Sequence, residues 1–310
     1  MKSGIIAGIT WAVETIILGV ALGMTPFVST EKAIVLAPFV STFLHDTFSA
    51  IWAFIYHCVR GNLKKVINAL KTRSGKFVAV AAVIGGPVGM TGYVLSVANM
   101  GASIGAVASA IFPAIGAVLA RIFLKERMTW YRWIFLTLCL IGVYGLSYSP
   151  DIEIKNFSIG FLGTLMCSFG WGIEAIIIAK CVRDEAVSDE IALQIRQATS
   201  AIVYGVIILP IMGGWGFTAT LFHNTGTLIP IIAIAALFAT ISYLFYYKAI
   251  SQIGPSKAMA LNVTYSAWAV IISIVFLGDT SLLNPVTIIC ALIVLIFGIL
   301  AGAEFKELID

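Results

Sequence analysis

The sequence predicts an all-α polytopic membrane protein: ten transmembrane helices forming two inverted five-helix repeats, with both termini in the cytoplasm. Three observations carry this. Of 310 residues, 60% are apolar and only 11% charged, about half the charge of a soluble domain, and the mean hydropathy is +1.02. The apolar residues run unbroken for about 20 positions at a time, the length that crosses a bilayer as a helix, whereas a barrel alternates over shorter segments. Short sequences also recur far apart at fixed offsets.

Cutting the apolar runs at charge clusters, Pro and Gly gives spans at 4–24, 33–58, 76–98, 101–123, 128–148, 157–180, 190–211, 228–250, 254–277 and 284–303. The first begins after only Met1, Lys2 and Ser3 and has no small-residue cleavage site, so it reads as a mature helix rather than a signal peptide. Between the second and third, "RGNLKKVINALKTRSGK" spaces Leu63, Val66, Ile67 and Leu70 helically, as in a helix lying along the inner membrane surface. The third span carries Gly85-Gly86-Pro87, which reads equally as an unwound segment beside a substrate or as a kink. Several connections are so short that neighbouring helices must be antiparallel.

Charge fixes the orientation. With the N-terminus inside, the inner loops hold Lys2, Arg60, Lys64, Lys65, Lys71, Arg73, Lys76, Arg121, Lys125, Arg127, Arg132, Lys180, Arg183, Lys248, Lys257 and Lys306. The outer loops hold only Lys32 and Lys155, and the positive-inside rule disfavours the reverse. Arg196 alone falls more than four residues inside a span, still toward its cytoplasmic end, where snorkelling is expected. The five cysteines have no paired spacing, so neither a disulfide framework nor a metal or cofactor site is expected.

The repeat is visible residue by residue. "YVLSVANMGASIGAVASAIFPAIGAVLARIFLKE" (93–126) and "YYKAISQIGPSKAMALNVTYSAWAVIISIVFLGD" (246–279) align at a shift of 153, matching Tyr93 to Tyr246, Gly101 to Gly254 and Glu126 to Asp279. Gly145 and Gly298 coincide at the same shift, "SAI" recurs at 49–51 and 200–202, and "WAVE" (11–14) finds "WGIE" (171–174) at 160. The repeats are therefore placed at 1–150 and 151–310. A unit of five spans is odd, so the second copy is inverted, the usual plan of a secondary transporter with its site near the midplane. No P-loop is present, and no soluble catalytic domain or nucleic-acid partner is implied.

The chain resembles the drug/metabolite transporter superfamily in its ten-helix form of two EamA-type repeats. The likeness rests on Trp11 and Trp171 in the first helix of each repeat and on "GASIGAVASAIFPAIGAVLARIFLKERMTW" with its weaker echo at 254–279. The second copy departs from the pattern, with Ser266 opposite Pro113 and Asp279 opposite the glutamate. Within the superfamily, the paired Trp-x-x-Glu is similar to that of bacterial choline-uptake transporters linked to phosphocholine decoration. The resemblance implies alternating access, with proton coupling an open accompaniment.

The polar residues point the same way. A carboxylate at the bilayer centre costs about 2.5–3.5 kcal/mol and needs a role. Glu14 and Asp46 lie near the centres of their spans, and Glu174 lies two-thirds along its own, near enough to the cytoplasm for solvation. No Lys or Arg is expected at a span centre to neutralise them, so an external cation is. Residues three apart share a helix face, so Trp11 with Glu14 and Trp171 with Glu174 form two walls of one site. Aromatic faces beside a carboxylate suit a quaternary ammonium, each ring contributing roughly 0.5–2 kcal/mol. Tyr93, Tyr243, Tyr246, Tyr247, Tyr265 and Trp268 are the further aromatics expected around it, while Trp52, Trp130, Trp133 and Trp215 read as packing or interfacial residues. His45 and Asp46, with Glu14, are the candidates for proton coupling, although adjacent residues point about 100° apart and only one is expected to face the cavity.

The expected function is import of choline or a related small quaternary amine across the cell membrane, by proton coupling or on the membrane potential. The alternative is a proton-coupled exporter of cationic drugs or metabolites. An enzyme acting on lipid would need a polar catalytic cluster near one interface, which the sequence lacks, and a receptor or scaffold is disfavoured by the short loops.

Overall fold

The computed structural model describes residues 1–148, 154–224 and 226–303. The proposed junction at 150/151 and Lys306 lie outside them. Every secondary-structure element among the described residues is helical. In chain order they are α1 (Lys2–Leu22), α2 (Glu31–Val59), α3 (Leu63–Lys71), α4 (Arg73–Val83), α5 (Gly89–Met100), α6 (Ala102–Phe123), α7 (Trp130–Ser147), α8 (Phe157–Cys181), α9 (Asp189–Val203), α10 (Leu209–Met212), α11 (Trp215–Asn224), α12 (Leu228–Ile253), α13 (Pro255–Asn262), α14 (Tyr265–Leu277) and α15 (Pro285–Gly302). Two five-residue π segments, Ile84–Val88 and Tyr204–Ile208, join α4 to α5 and α9 to α10.

Among the described residues nine helical stretches are long and apolar enough to cross a membrane, and α6, with 22 residues, takes the remaining expected place. Each expected span falls on its helix to within three residues at either end. The starts have local causes. The side chains of Thr30, Thr72, Asn156, Ser188 and Asn284 accept from backbone N–H groups of their own first turns, satisfying donors that a new helix leaves open. Gly101 and Gly254, paired by the 153-residue shift, start α6 and α13 with nearly the same backbone, φ 87° and ψ 161° against φ 86° and ψ 158°. Only glycine takes such a conformation without strain.

Three departures from the expected elements stand out. Gly85-Gly86-Pro87 is wound as a π turn, so the helix changes register there without opening. Span nine is broken in two at Val263 and Thr264. The outer connection after α10 contains the extra helix α11, held by Trp215, whose Nε1 donates to the Gly205 carbonyl at 3.0 Å and whose ring meets Phe43 at 5.2 Å. The cytoplasmic helix α3 turns Val66 and Ala69 into the protein and leaves Ile67, Leu70 and its lysines exposed.

The heaviest packing pairs α1 with α12, α5 with α8 and α7 with α15. Small residues permit the closest approach: a Cβ on Gly92 of α5 would stand 2.7 Å from the Gly163 carbonyl of α8. Hydroxyls bond across the helices, Ser242 to the Ala7 carbonyl at 2.8 Å and Ser49 to Thr240 at 2.8 Å, which satisfies polar groups where no water is available. One apolar cluster gathers around Val66, Ala69, Val187 and Ile250 at the cytoplasmic end, and another around Ala21, Phe27, Leu36 and Leu221 at the outer end. The polar centre of the molecule lies between them.

Candidate functional site

That centre is a cavity of about 380 Å³, within the roughly 300–1,000 Å³ range of small-molecule sites. Trp11, Glu14, Tyr93, Trp171, Glu174, Tyr243, Tyr246, Tyr247 and Tyr265 all line it, as do His45 and Asp46. Trp268, expected among them, does not; it sits one turn further along α14 than Tyr265, half-buried. The spacing argument places both members of each Trp-x-x-Glu pair on one wall, α1 and α8 facing each other across the space.

Eight aromatic rings line the cavity. Trp11 meets Tyr243 edge-on at 5.2 Å and Tyr265 at 6.4 Å. Across the cavity Trp171 stacks on Tyr93 at 6.3 Å and meets Phe112 edge-on at 5.8 Å. The indole of Trp171 is fixed by its Nε1, which donates to the Gly85 carbonyl at 2.9 Å. Here the π turn matters: Gly89, just beyond it, has the indole so close that an added Cβ would lie 3.0 Å from Cδ1.

The acids are not equivalent. Arg196 of α9 donates through Nε to Glu174 Oε1 at 2.9 Å and through Nη1 to Asp46 Oδ2 at 3.4 Å and Gln197 Oε1 at 2.7 Å. Its guanidinium also lies 5.0 Å from the centre of the Tyr243 ring. The Ser200 hydroxyl donates to the same Asp46 Oδ2 at 2.6 Å. His45 bridges the remainder, with Nδ1 3.0 Å from Asp46 Oδ1 and Nε2 3.3 Å from Glu14 Oε1. Glu14, His45, Asp46, Glu174 and Arg196 are all more than 90% buried.

Three expectations are corrected by this geometry. Arg196 does not snorkel: it lies seven residues into α9, about 10 Å from the helix start at 1.5 Å per residue, and is only 4% exposed. It is the internal cation that the sequence reading denied to the carboxylates. Glu174 is accordingly paired and 7% exposed rather than solvated from the cytoplasm. Both His45 and Asp46 face the cavity, because their side chains lean together into a hydrogen bond instead of diverging. The signal for Arg196 was its depth: a charge that far inside an apolar helix costs several kcal/mol unless paired.

The glycines of the π turn serve the same network. A Cβ on Gly85 would overlap the Glu174 carboxylate, and one on Gly86 would overlap the Ser200 hydroxyl. Their lack of side chains is what lets the α8 and α9 polar groups meet. The lining carries three carboxylates, Glu14, Asp46 and Glu174, against one guanidinium. Its net charge is −2 with His45 neutral and −1 with it protonated. Arg196 compensates Glu174 and Asp46, while Glu14 meets no guanidinium: its neighbours are His45 Nε2 at 3.3 Å and the Thr15 hydroxyl, which donates to Oε2 at 3.3 Å. Among the described residues no cluster of His, Cys, Asp and Glu is suited to a metal ion.

Comparison with known proteins places this arrangement. Residues 4–148 match the EamA-like transporter family. Protein LicB of Haemophilus influenzae is 31% identical over 228 residues, covering 74% of this chain and 75% of its own. The S-adenosylmethionine uptake transporter of Rickettsia bellii is 25% identical over 216 residues, covering 68% of this chain and 70% of its own. A solved crystal structure superposes over 100% of this chain and 98% of its own with a TM-score of 0.71 at 13% identity, a likeness of fold. A multi-pass helical bundle around a central polar cavity, with a relative this similar over three-quarters of its length, makes this chain a member of the EamA-like transporter family.

Proposed function

We propose that this transporter imports choline or a similar small quaternary amine, holding the cation at Glu14 within the rings of Trp11, Trp171, Tyr93, Tyr243 and Tyr265. The observation that carries the reading is the division of labour among the carboxylates: Arg196 takes Glu174 and Asp46, leaving Glu14 beside an aromatic wall in a cavity of net negative charge. A quaternary ammonium donates no N–H hydrogen bond, so ring faces and one carboxylate without a guanidinium partner are the groups that hold it. The Rickettsia bellii relative is named for uptake of S-adenosylmethionine, itself a methylated onium ion, which supports both the charge class and the direction. An exporter of amphipathic cations would use the same surface, and the direction assay below separates the two.

The chain works by alternating access of two inverted repeats, 1–150 and 151–310, about this site. The equal backbone at Gly101 and Gly254 supports the repeat. A permeant cation gains about 2.3 kcal/mol per 100 mV, enough for roughly 50-fold accumulation on potential alone. His45, between Glu14 and Asp46, is the place where a proton would compete with the substrate.

The test is uptake of radiolabelled choline into proteoliposomes under an inside-negative potential, with unlabelled betaine, acetylcholine and amino acids as competitors. The reading expects potential-driven uptake blocked by quaternary amines bearing no carboxylate, and little effect of amino acids. Absence of choline uptake and binding would overturn it; choline movement only outward would replace import by export.

A further inference from the structure

Two acidic residues stand outside the cavity and have no part in cation binding, yet the 153-residue shift pairs them: Glu126 after α6 and Asp279 after α14. The same shift pairs Gly101-Ala102-Ser103 with Gly254-Pro255-Ser256. On the cytoplasmic side, Glu126 is half-buried against the start of α13. A Cβ on Gly254 would stand 2.9 Å from its Oε1 and 3.2 Å from its Oε2. The Ser256 hydroxyl and backbone N–H lie on the side of that carboxyl, although neither Glu126 Oε2 nor Ser256 Oγ completes a hydrogen bond in this state. Burial holds that carboxyl above its usual range, with Ser256, Arg132 and Lys257 offsetting in part.

On the outer side the backbone is the same and the contact is missing. Gly101 has φ 87° and ψ 161°, like Gly254, but a Cβ there would meet nothing within 4 Å. Asp279 is exposed and turned onto its own loop, accepting from the Ser281 N–H at 3.1 Å and hydroxyl at 2.5 Å. The cavity matches this asymmetry. Its lining runs outward along α1 through Leu18 and Gly19 to Leu22, and it carries the Arg196 cluster on the inner side.

We propose that Glu126 and Asp279 are alternating latches. Glu126 on Gly254–Ser256 closes the cytoplasmic end while the cavity faces outward. Asp279 on Gly101–Ser103 closes the outer end when the cavity faces inward. Each acid meets the N-terminal end of a helix in the opposite repeat, where open N–H groups and the helix dipole favour a carboxylate. Release of one latch and capture by the other exchanges like for like, so the two states stay close in energy and the substrate decides between them. This rests on the inverted-repeat, alternating-access reading of the chain and is independent of which cation is carried.

The test needs no substrate. With Cys58 and Cys290 replaced by Ser, Leu22→Cys reports outward opening through its rate of labelling by a membrane-impermeant maleimide on intact cells. Glu126→Gln is expected to slow that labelling about tenfold, the worth of one charge-assisted contact. Adding Asp279→Asn to Glu126→Gln restores most of the rate, and Asp279→Asn alone does not slow it. Ser256→Ala, milder than the charge change, shifts the rate in the same direction by less and carries the prediction if Glu126→Gln fails to fold. Unchanged labelling in folded Glu126→Gln and Ser256→Ala, or a further fall on adding Asp279→Asn, overturns the latches. If choline uptake persists in the wild type alongside that result, the latches alone are lost; if choline is not carried but the labelling pattern holds, only the substrate reading is lost.

Discussion

Arg196 decides what each buried acid can do. Its contacts at 2.9 Å to Glu174 and 3.4 Å to Asp46 sit in a region without bulk water, where stripping one partner from an ion pair costs about 3–5 kcal/mol. Arg196→Gln is therefore expected to lower the thermal unfolding temperature in detergent markedly, and Glu174→Gln added to it recovers part of the loss because one stranded charge disappears. Equal unfolding temperatures for wild type and Arg196→Gln would contradict the pairing. The residues that line the cavity were readable one by one from the sequence wherever two signals coincided: an aromatic and an acid three apart, twice, in matched helices. Arg196 was missed because a single basic residue toward a span end has an ordinary explanation in snorkelling. Trp268 was included on aromatic character alone, and aromatic character carries no direction.

At the scale of elements, the π turn at Ile84–Val88 is the joint that lets α8 and α9 deliver their polar groups. Gly85 has room for hydrogen only, since the Glu174 carboxylate occupies the place of a side chain. Gly85→Ala is expected to cost about 1–3 kcal/mol of stability by overpacking, whereas Gly216→Ala in α11, with open space around it, costs nothing measurable. Thermal melts of the two variants check this, and a Gly85→Ala melt matching wild type would contradict it. The helices themselves were legible to within three residues because apolar run length and charge placement set them. The break in span nine and the π register shifts were not, since both arise from contacts with other helices rather than from local propensity. Helix α11 was hidden for the same reason: Trp215 reads as an interfacial residue until its bond to Gly205 is seen.

For the whole molecule, charge balance governs the response to pH. The cavity holds three carboxylates, one guanidinium and one imidazole. A proton taken up at the Glu14–His45 contact adds one positive charge where the substrate cation is proposed to sit, so proton and quaternary amine are expected to compete there. Choline isotherms that superimpose from acid to neutral pH would remove the competition between proton and substrate. The proposed inverted plan, by contrast, rests on the repeat itself: "WAVE" and "WGIE" mark two walls of the cavity, but their sequence likeness conceals that only the second glutamate has a guanidinium partner.

The inequality of Glu14 and Glu174 is tested directly by a binding comparison. Choline affinity is measured by calorimetry on purified wild type, Glu14→Gln and Glu174→Gln, each first shown to be folded. Glu14→Gln is expected to lose about 10- to 100-fold, the value of a charge-assisted contact in a dry site, and Glu174→Gln to change by no more than a few-fold. Unchanged affinity in Glu14→Gln, or equal losses in the two variants, would contradict the assignment of the substrate cation to Glu14.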